Sequence, residues 1–315
     1  MYPMKRNTLE LRKYQEDACH VYNFEVDKLL HNHFPVKVFQ VRSKQDRNVK
    51  KVIKAFFKDN TDVENKVAKH FLSEVAVLAT VHHPYIMGMD SMGSFPRYFA
   101  YVMPFYEEGT LTKVLPSMHQ EMSDEYFVQL CAGVNYLHYK KVAHRDLKTD
   151  NILITEKKVL IADFGLSDIL PTEDSMATQR KGTVVYKSPE QFLKKQFNPF
   201  KCDMFALGVV YWCMVFKVNV LSHEIEDPMM ETVRNRLSPS SIDRLILTNL
   251  LEYNPAERLS IFELLFLMEE SCFSHRIAKL KGSFRRSVTI NYTTKNHPRV
   301  RDPALTFMVS SAIEQ

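Results

Sequence analysis

Glycine is scarce in this chain: only eight glycines occur among its 315 residues, and the first of them is Gly88. A glycine-rich phosphate-binding loop depends on backbone conformations and close backbone approaches that side chains other than hydrogen rarely allow. Such a loop is therefore excluded from the part of the sequence that precedes Gly88.

Long hydrophobic runs are also missing. The two longest apolar segments, 206–216 and 261–268, are shorter than the roughly 20 residues that cross a bilayer, so we expect buried helices and no transmembrane segment. The first residues mix apolar with charged side chains and do not form the apolar core of a secretory signal. Five cysteines without paired spacing indicate reduced thiols, which predicts a cytoplasmic location, with the nucleus as the other candidate.

The net charge of +5 is concentrated at the carboxyl end. From residue 271 onward there are eight Lys or Arg against two acidic residues, so the preceding residues carry 34 basic and 35 acidic side chains. We interpret 275–315 as a basic, solvated tail, with docking to an acidic partner or a membrane surface as the alternative. Nucleic-acid binding is not expected, because no aromatic residues interleave with the basic ones in a known module.

The order of segments predicts an α+β fold with two lobes. Residues 34–57 predict a β-hairpin, 61–80 a helix with Thr61 or Asp62 as its N-cap, and 85–92 and 98–104 two further strands. After Gly109 the apolar segments have helical length, at 124–140, 202–216, 241–251 and 260–268. The predicted organisation is an N-terminal extension at 1–22, lobes at 23–103 and 104–274 with a hinge near 103–108, and the tail.

The most specific motif is VAHRDLKTDNILI at 142–154, followed by IADFGLSD at 161–168. HRDLKxxN followed by DFG resembles the signature of eukaryotic protein kinases of the serine/threonine type. The resemblance implies a bilobal kinase fold and ATP and Mg²⁺ as cofactors. It makes Asp146 the catalytic base, or the group that orients the substrate hydroxyl, and Lys148 its neighbour, with Asn151 and Asp163 as Mg²⁺ ligands.

Other segments match the same family in the same order. Lys54 resembles the strand lysine that holds the ATP phosphates, and Glu74 resembles its helix partner. Lys50 and Lys51 are the competing candidates, and strand alternation alone does not exclude Lys50, which shares a face with Lys54. The apolar flanks of Lys54 and its spacing to Glu74 favour Lys54. The resemblance further assigns the remaining ATP-binding positions to Val38, Val52, Met103 as gatekeeper, the hinge residues Pro104, Phe105 and Tyr106, and Leu153.

The segment KGTVVYKSPE at 181–190 resembles the end of a kinase activation segment, with Ser188 where the family has alanine. The resemblance makes Glu190 and Arg258 a structural ion pair and Asp203 a structural residue of the central helix. It also implies that Arg145 binds a phosphate on the activation segment, for which Thr178 is the best-placed acceptor. Lys148 and Thr183 are typical of serine/threonine kinases, and the resemblance predicts that Thr183 bonds Asp146 and Lys148.

The departure from the family lies in HNHFPVKV at 31–38. The three glycine positions of the phosphate-covering loop fall on His31, His33 and Val36, and Pro35 removes one N–H donor. We interpret the two histidines as loop residues and not as metal ligands. The resemblance still implies a protein kinase acting on Ser/Thr of protein substrates. We expect the missing glycines to weaken nucleotide binding and slow turnover more readily than to abolish transfer. The alternative is a pseudokinase that serves as a scaffold or allosteric regulator with weak or no ATP binding. A small-molecule phosphotransferase is less expected, because the GT…SPE segment serves to dock a peptide.

Overall fold

The computed structural model describes residues 23–58, 63–156, 158–220 and 227–271. The chain forms two compact units, one built from the residues up to 82 together with 87–107, the other from 83–86 together with the residues from 108 onward. The predicted extension at 1–22, the tail at 275–315 and the N-cap at Thr61 or Asp62 lie outside the described residues.

The described residues of the first unit form a five-stranded antiparallel sheet and one helix. The strands follow the order β1-β2-β3-β5-β4, and the helix α1 comes between β3 and β4. The bounds are β1 Phe24–His33, β2 Val36–Ser43, β3 Lys50–Phe57, α1 Val63–Thr80, β4 Ser91–Ser94 and β5 Tyr98–Pro104. The hairpin predicted at 34–57 is confirmed as β2 and β3, and the helix and the strand at 98–104 are confirmed as α1 and β5.

Alternation along β3 gives the sheet two different faces. Ile53, Ala55 and Phe57 point into an apolar cluster with residues of β2 and β5. On the other face Phe56 is fully buried and makes edge-on contacts with Phe71 of α1, at 5.5 Å between ring centroids. Lys54 shares that second face, because side chains two residues apart on a strand point the same way.

The segment around His31 and His33 is a strand and not a loop, which corrects our interpretation. Both histidines belong to β1, paired with Val38 and Val36 of β2, so a two-residue turn at Phe34 and Pro35 joins the strands. The carbonyl of Pro35 accepts a hydrogen bond from Phe57 N at 2.8 Å. The segment therefore forms a tight hairpin whose two strands pair up to the turn.

The second unit is mostly helical. Its helices are α2 Leu111–Val114, α3 Gln120–Tyr139, α4 Pro189–Leu193, α5 Pro199–Phe216, α6 Asp227–Arg236, α7 Ile242–Leu250 and α8 Ile261–Glu270. Two small antiparallel pairs accompany them, β6 Val142–Ala143 with β9 Asp168–Ile169, and β7 Ile152–Thr155 with β8 Lys158–Ile161. The four predicted helices after Gly109 are confirmed as α3, α5, α7 and α8, and the two units together give the predicted bilobal α+β class.

Helix α5 is the centre of the second unit. Among the described residues it is the one helix long and apolar enough to cross a membrane, but 83% of that 18-residue window is buried inside the protein. Gly208 allows this packing, because a Cβ there would lie 2.8 Å from Cβ of Leu250 on α7. Burial among protein helices explains the apolar sequence of α5.

The strand predicted at 85–92 is wrong for most of its length, since strand β4 begins only at Ser91. Tyr85 and Ile86 are buried in the second unit, where the Tyr85 carbonyl accepts from Ile161 N at 2.9 Å and Ile86 forms a single bridge with Ile161. Their apolar character reflects burial in a turn, which the composition does not distinguish from burial in a sheet.

Candidate active site

The first unit holds a buried ion pair on the helix-facing side of its sheet. Lys54 Nζ donates to Glu74 Oε1 at 2.7 Å, and the Tyr101 hydroxyl donates to the same oxygen at 2.8 Å. Glu74 is almost fully buried, and its Oε2 has no hydrogen-bond partner among the described residues. Two donors on one oxygen fix the carboxylate, so the ammonium group of Lys54 is held in one place.

The two alternative lysines have other partners. Lys50 Nζ donates to Glu107 Oε1 at 2.5 Å, and Lys51 lies 2.9 Å from Asp90 Oδ2. The charge and hydrogen bond of Lys50 lower the pKa of the exposed Glu107 carboxyl. Of the three lysines, Lys54 is thus the one that pairs with Glu74.

The other ATP-binding positions predicted in the first unit lie on neighbouring strands. Val38 pairs with Lys54, and Val52 pairs with Met103. Pro104 ends β5, and Phe105 and Tyr106 follow it as half-buried residues. Burial, together with the negative charge of Asp90, raises the pKa of Tyr106. Their assignment to ATP binding stays a prediction.

In the second unit, one carboxylate gathers the residues predicted to be catalytic. Asp146 Oδ1 accepts from both the backbone N–H and the hydroxyl of Thr183, each at 2.8 Å. Its Oδ2 accepts from Asn151 Nδ2 at 3.0 Å and lies 2.9 Å from Lys148 Nζ. Lys148 Nζ also donates to the Thr183 hydroxyl at 2.8 Å. Asp146, Lys148, Asn151 and Thr183 therefore form one hydrogen-bonded group, with the Thr183 contacts in the predicted arrangement.

Asp203 of α5 supports the loop that carries this group. Its carboxylate accepts from the backbone N–H groups of His144 and Arg145, both at 2.7 Å, and lies 3.1 Å from His138 Nε2. Such charge-assisted bonds to backbone amides are among the stronger hydrogen bonds in proteins. The structural role predicted for Asp203 thus has a geometric basis.

Asn151 and Asp163 offer oxygen ligands of the kind that Mg²⁺ prefers. Because the Asn151 amide nitrogen donates to Asp146, its amide oxygen is the side-chain atom that could coordinate a metal. Asp163 is exposed, with a positive φ of 62°, and the following Phe164 is buried edge-on against His144. The described residues contain no cluster of three or more His, Cys, Asp or Glu that could hold a metal. Two protein ligands suit Mg²⁺, which is usually bound together with substrate phosphates and water.

Leu153, the remaining predicted ATP-binding residue, lies on β7. It pairs with Leu160 of β8 and forms an isolated bridge with Thr110. Its side chain is half-buried. The site residues of the second unit thus come from β7, the loop before it and the residues after β8.

The Glu190–Arg258 pair joins the end of the activation segment to the loop before α8. Arg258 donates to Glu190 through two nitrogens, at 2.6 and 3.0 Å, and its remaining donors reach backbone carbonyls of Glu252 and Lys201. Burial would raise the pKa of Glu190, but the hydrogen bonds and charge of Arg258 outweigh it and lower that pKa. Phe205, where the resemblance expects tryptophan, lies 5.0 Å beneath the guanidinium group.

Comparison with known proteins decides the family. The protein kinase domain family matches residues 36–267, most of the chain. The chain belongs to the protein kinase family. It is of the serine/threonine type, as its relatives show. They include CBL-interacting serine/threonine-protein kinase 19 of Arabidopsis thaliana, 26% identical over 89% of this chain and 60% of the relative. Serine/threonine-protein kinase ULK3 of Xenopus laevis is 26% identical over 69% of this chain and 49% of the relative. Serine/threonine-protein kinase Nek1 of Mus musculus is 30% identical over 65% of this chain and 18% of the relative, so these alignments cover less than two thirds of each relative.

In this kinase the predicted phosphate partner of Arg145 has a competitor that the sequence analysis missed. The guanidinium group donates to Asp168 and to the carbonyl of Gln179, while Thr178 is exposed. Lys181 also donates to Asp168, at 2.8 Å. Asp168 lies five residues after Asp163, in the two-residue strand β9. No pattern in the sequence marks it as a partner of an arginine.

Gly182 is a second residue of this kinase that motif matching alone did not explain. It has a positive φ of 99°, and a Cβ there would lie 2.5 Å from the Arg145 carbonyl oxygen. Only glycine combines that conformation with so close an approach of two backbones. Gly182 therefore brings Thr183 within reach of Asp146.

Proposed function

We propose that this chain transfers the γ-phosphoryl group of ATP to serine and threonine hydroxyls of protein substrates, with Mg²⁺ as cofactor. One observation carries the proposal: Asp146, Lys148, Asn151 and Thr183 form a single hydrogen-bonded group around one carboxylate. This arrangement holds one carboxylate and one ammonium group side by side in fixed positions. Catalysis by positioning and charge requires such an arrangement. Its activity is reduced because the hairpin over residues 31–38 offers no glycine to hold phosphate.

The roles of the second unit's residues follow from their partners. Asp146 accepts the proton of the substrate hydroxyl while the hydroxyl oxygen bonds to the γ-phosphorus. The bond between the γ-phosphorus and the oxygen that bridges it to the β-phosphate breaks at the same time. Lys148, 2.8 Å from the Thr183 hydroxyl, offsets negative charge beside the transferred group. Asn151 and Asp163 would hold Mg²⁺, which would supply positive charge to neutralise the phosphate oxygens.

The first unit contributes the pair of Lys54 and Glu74. Lys54 binds phosphate oxygens of ATP, and Glu74 prevents its side chain from adopting other directions. Because Tyr101 donates to the same carboxylate oxygen, it also holds the orientation of Glu74. This pair supports nucleotide use despite the glycine-free hairpin.

Serine and threonine are favoured over tyrosine as acceptors by the contact of Lys148 with Thr183. Both side chains bond the carboxylate that would receive the substrate proton, and this pair of residues is typical of kinases that act on serine and threonine. We also propose that the protein is located in the cytoplasm or the nucleus, which cell fractionation tests. For the basic tail we propose binding to an acidic partner or a membrane surface, which sedimentation with anionic vesicles tests.

Transfer of radioactive γ-phosphate to a mixture of serine-, threonine- and tyrosine-containing peptides tests the enzyme function. Asp146→Asn should lower the rate by a factor of about 10²–10⁴, the usual contribution of a positioned base. Asp150→Asn is the matched control, because this exposed carboxylate lies in the same loop but bonds Thr112. Equal rates for wild type and Asp146→Asn would refute the proposal.

A pseudokinase function is the second candidate, and the hairpin at His31 to Val38 favours it. Direct measurement of Mg-ATP binding by calorimetry separates the two functions. A chain that binds no ATP and gives no transfer above the Asp146→Asn background acts as a scaffold or allosteric regulator.

A further inference from the structure

Asp168 bonds two cations that flank the catalytic contact between Asp146 and Thr183. Arg145, one residue before Asp146, donates to Asp168, and Lys181, two residues before Thr183, donates to its other carboxylate oxygen at 2.8 Å. One carboxylate thus joins the loop that carries the base to the segment that carries the base's hydrogen-bond donor.

The environment makes these contacts stronger than surface ion pairs. The Arg145 side chain is only 3% exposed, and the side chains of Asp168 and Lys181 are 30% and 25% exposed. An arginine so deeply buried needs an anion, because an unpaired buried charge is costly. Within the described residues Arg145 has that anion in Asp168 and a further acceptor in the Gln179 carbonyl.

Asp168 is itself held in position by backbone pairing. It belongs to β9 and pairs with Ala143 of β6, next to which Leu170 N donates to the Lys141 carbonyl at 2.8 Å. Backbone pairing therefore attaches Asp168 to β6, the strand that leads into the catalytic loop.

The rest of the activation segment also makes contacts of its own. Ala177 exchanges two backbone hydrogen bonds with Phe197, at 2.8 and 3.1 Å. Lys187 Nζ donates to the Arg180 carbonyl at 2.9 Å, and Gln191 Nε2 donates to the Lys181 carbonyl at 3.3 Å. These contacts surround Thr178 on both sides in sequence, whereas Thr178 itself is exposed.

We propose that Asp168 is a positioning residue that holds Arg145 and Lys181, so that Asp146 and Thr183 keep their contact without phosphorylation of Thr178. The inference rests on the proposed kinase function for its kinetic readout. Asp168 takes the place that a phosphate group would otherwise have as the anion bound by Arg145. Phosphoryl transfer by this kinase is then independent of phosphorylation of the activation segment.

The kinetic test uses the full chain treated with phosphatase. We expect wild type and Thr178→Ala to keep their rates, while Asp168→Asn lowers kcat about tenfold or more with the KM for ATP nearly unchanged. Asp174→Asn is the matched control, because Asp174 is an exposed acidic residue of the same segment. Asp168→Glu, which keeps the charge, should restore part of the rate.

Hydrogen exchange tests the same inference without activity. In Asp168→Asn the amides of 177–183 should exchange about tenfold faster than in Asp174→Asn, because opening of the segment then costs less free energy. Equal exchange in the two variants, or loss of wild-type activity on phosphatase treatment, would overturn the inference. If wild type shows no phosphoryl transfer but the amides of Asp168→Asn exchange faster, the enzyme function is refuted. The positioning role of Asp168 is then still supported.

Discussion

Replacement of Glu190 by glutamine should destabilise the second unit more than most single substitutions. The variant keeps the shape of the side chain but removes its negative charge and turns an NH₂ group toward Arg258. Arg258 is 0% exposed, so water cannot replace the lost partner without a rearrangement of the surrounding chain. The perturbation therefore leaves a guanidinium charge buried with neutral partners only.

The magnitude follows from the bonds that remain. Glu190 accepts from Arg258 at 2.6 and 3.0 Å, and glutamine can accept one of these bonds, while the backbone carbonyls of Glu252 and Lys201 are unchanged. Breaking a buried ion pair by removing one partner costs about 3–5 kcal/mol. Since the amide keeps one acceptor, we expect a loss of about 3 kcal/mol in the free energy of unfolding.

The pH dependence has a definite sign. The folded-state pKa of Glu190 is lowered, so its carboxylate stabilises the fold above the unfolded pKa, and that stability is lost as the pH falls through the folded value. The difference between wild type and Glu190→Gln should be constant near neutral pH. It should shrink below about pH 4, where glutamic acid in the unfolded chain becomes protonated.

Urea denaturation followed by tryptophan fluorescence measures this difference. Trp212 is the single tryptophan of the chain and is 7% exposed on α5, so its signal reports the unit that contains Glu190. Glu257→Gln, which alters an exposed carboxylate bonded to Asn254, is the control and should change stability by less than about 0.5 kcal/mol. A loss below about 1 kcal/mol in Glu190→Gln would contradict the assignment of a buried, structurally required pair.

Three further predictions concern the candidate site. Gly182→Ala should lower both kcat and the melting temperature, because the added Cβ would lie 2.5 Å from a backbone oxygen at a φ of 99°; unchanged kinetics would refute the close packing. Lys54→Met should weaken Mg-ATP binding measured by calorimetry, whereas Lys50→Met, which removes the exposed partner of a surface pair, should not; equal effects would return Lys50 to consideration. Glycine at both His33 and Val36 should raise ATP affinity by allowing close backbone contact with phosphate, and no gain would indicate a hairpin that does not serve ATP.

The catalytic motif was predictable because its residues are close in sequence. Asp146, Lys148 and Asn151 fall within six positions of the sequence. Residues so close along the chain lie near one another in a single loop, as their contacts show. The helices α3, α7 and α8 were likewise predictable, since apolar residues at helical spacing are buried on one side. Helix α5 was predictable from its long apolar run, because a helix that is apolar all round is buried in a core. The strand expected at 85–92 failed because burial of Tyr85 and Ile86 in a turn leaves the same composition as burial in a strand.

The choice among Lys50, Lys51 and Lys54 was not decidable from strand alternation. Lys50 and Lys54 share a face of β3, and their partners Glu107 and Glu74 are 57 and 20 residues away. Likewise the resemblance suggested a phosphate on Thr178 for Arg145, whereas the structure provides Asp168, 23 residues on. Long-range pairs of this kind depend on how strands and loops are brought together.

By itself, the amino-acid sequence determined the family, the α+β class and the residue types available for phosphoryl transfer, because these depend on short motifs and local periodicity. The resemblance had suggested the pairs Lys54–Glu74 and Glu190–Arg258, and the tertiary structure supplied their contacts. Only the tertiary structure showed that Arg145 pairs with Asp168. The physical reason is that a buried charge must find an opposite charge within a few ångströms, and chain folding rather than chain order sets that distance.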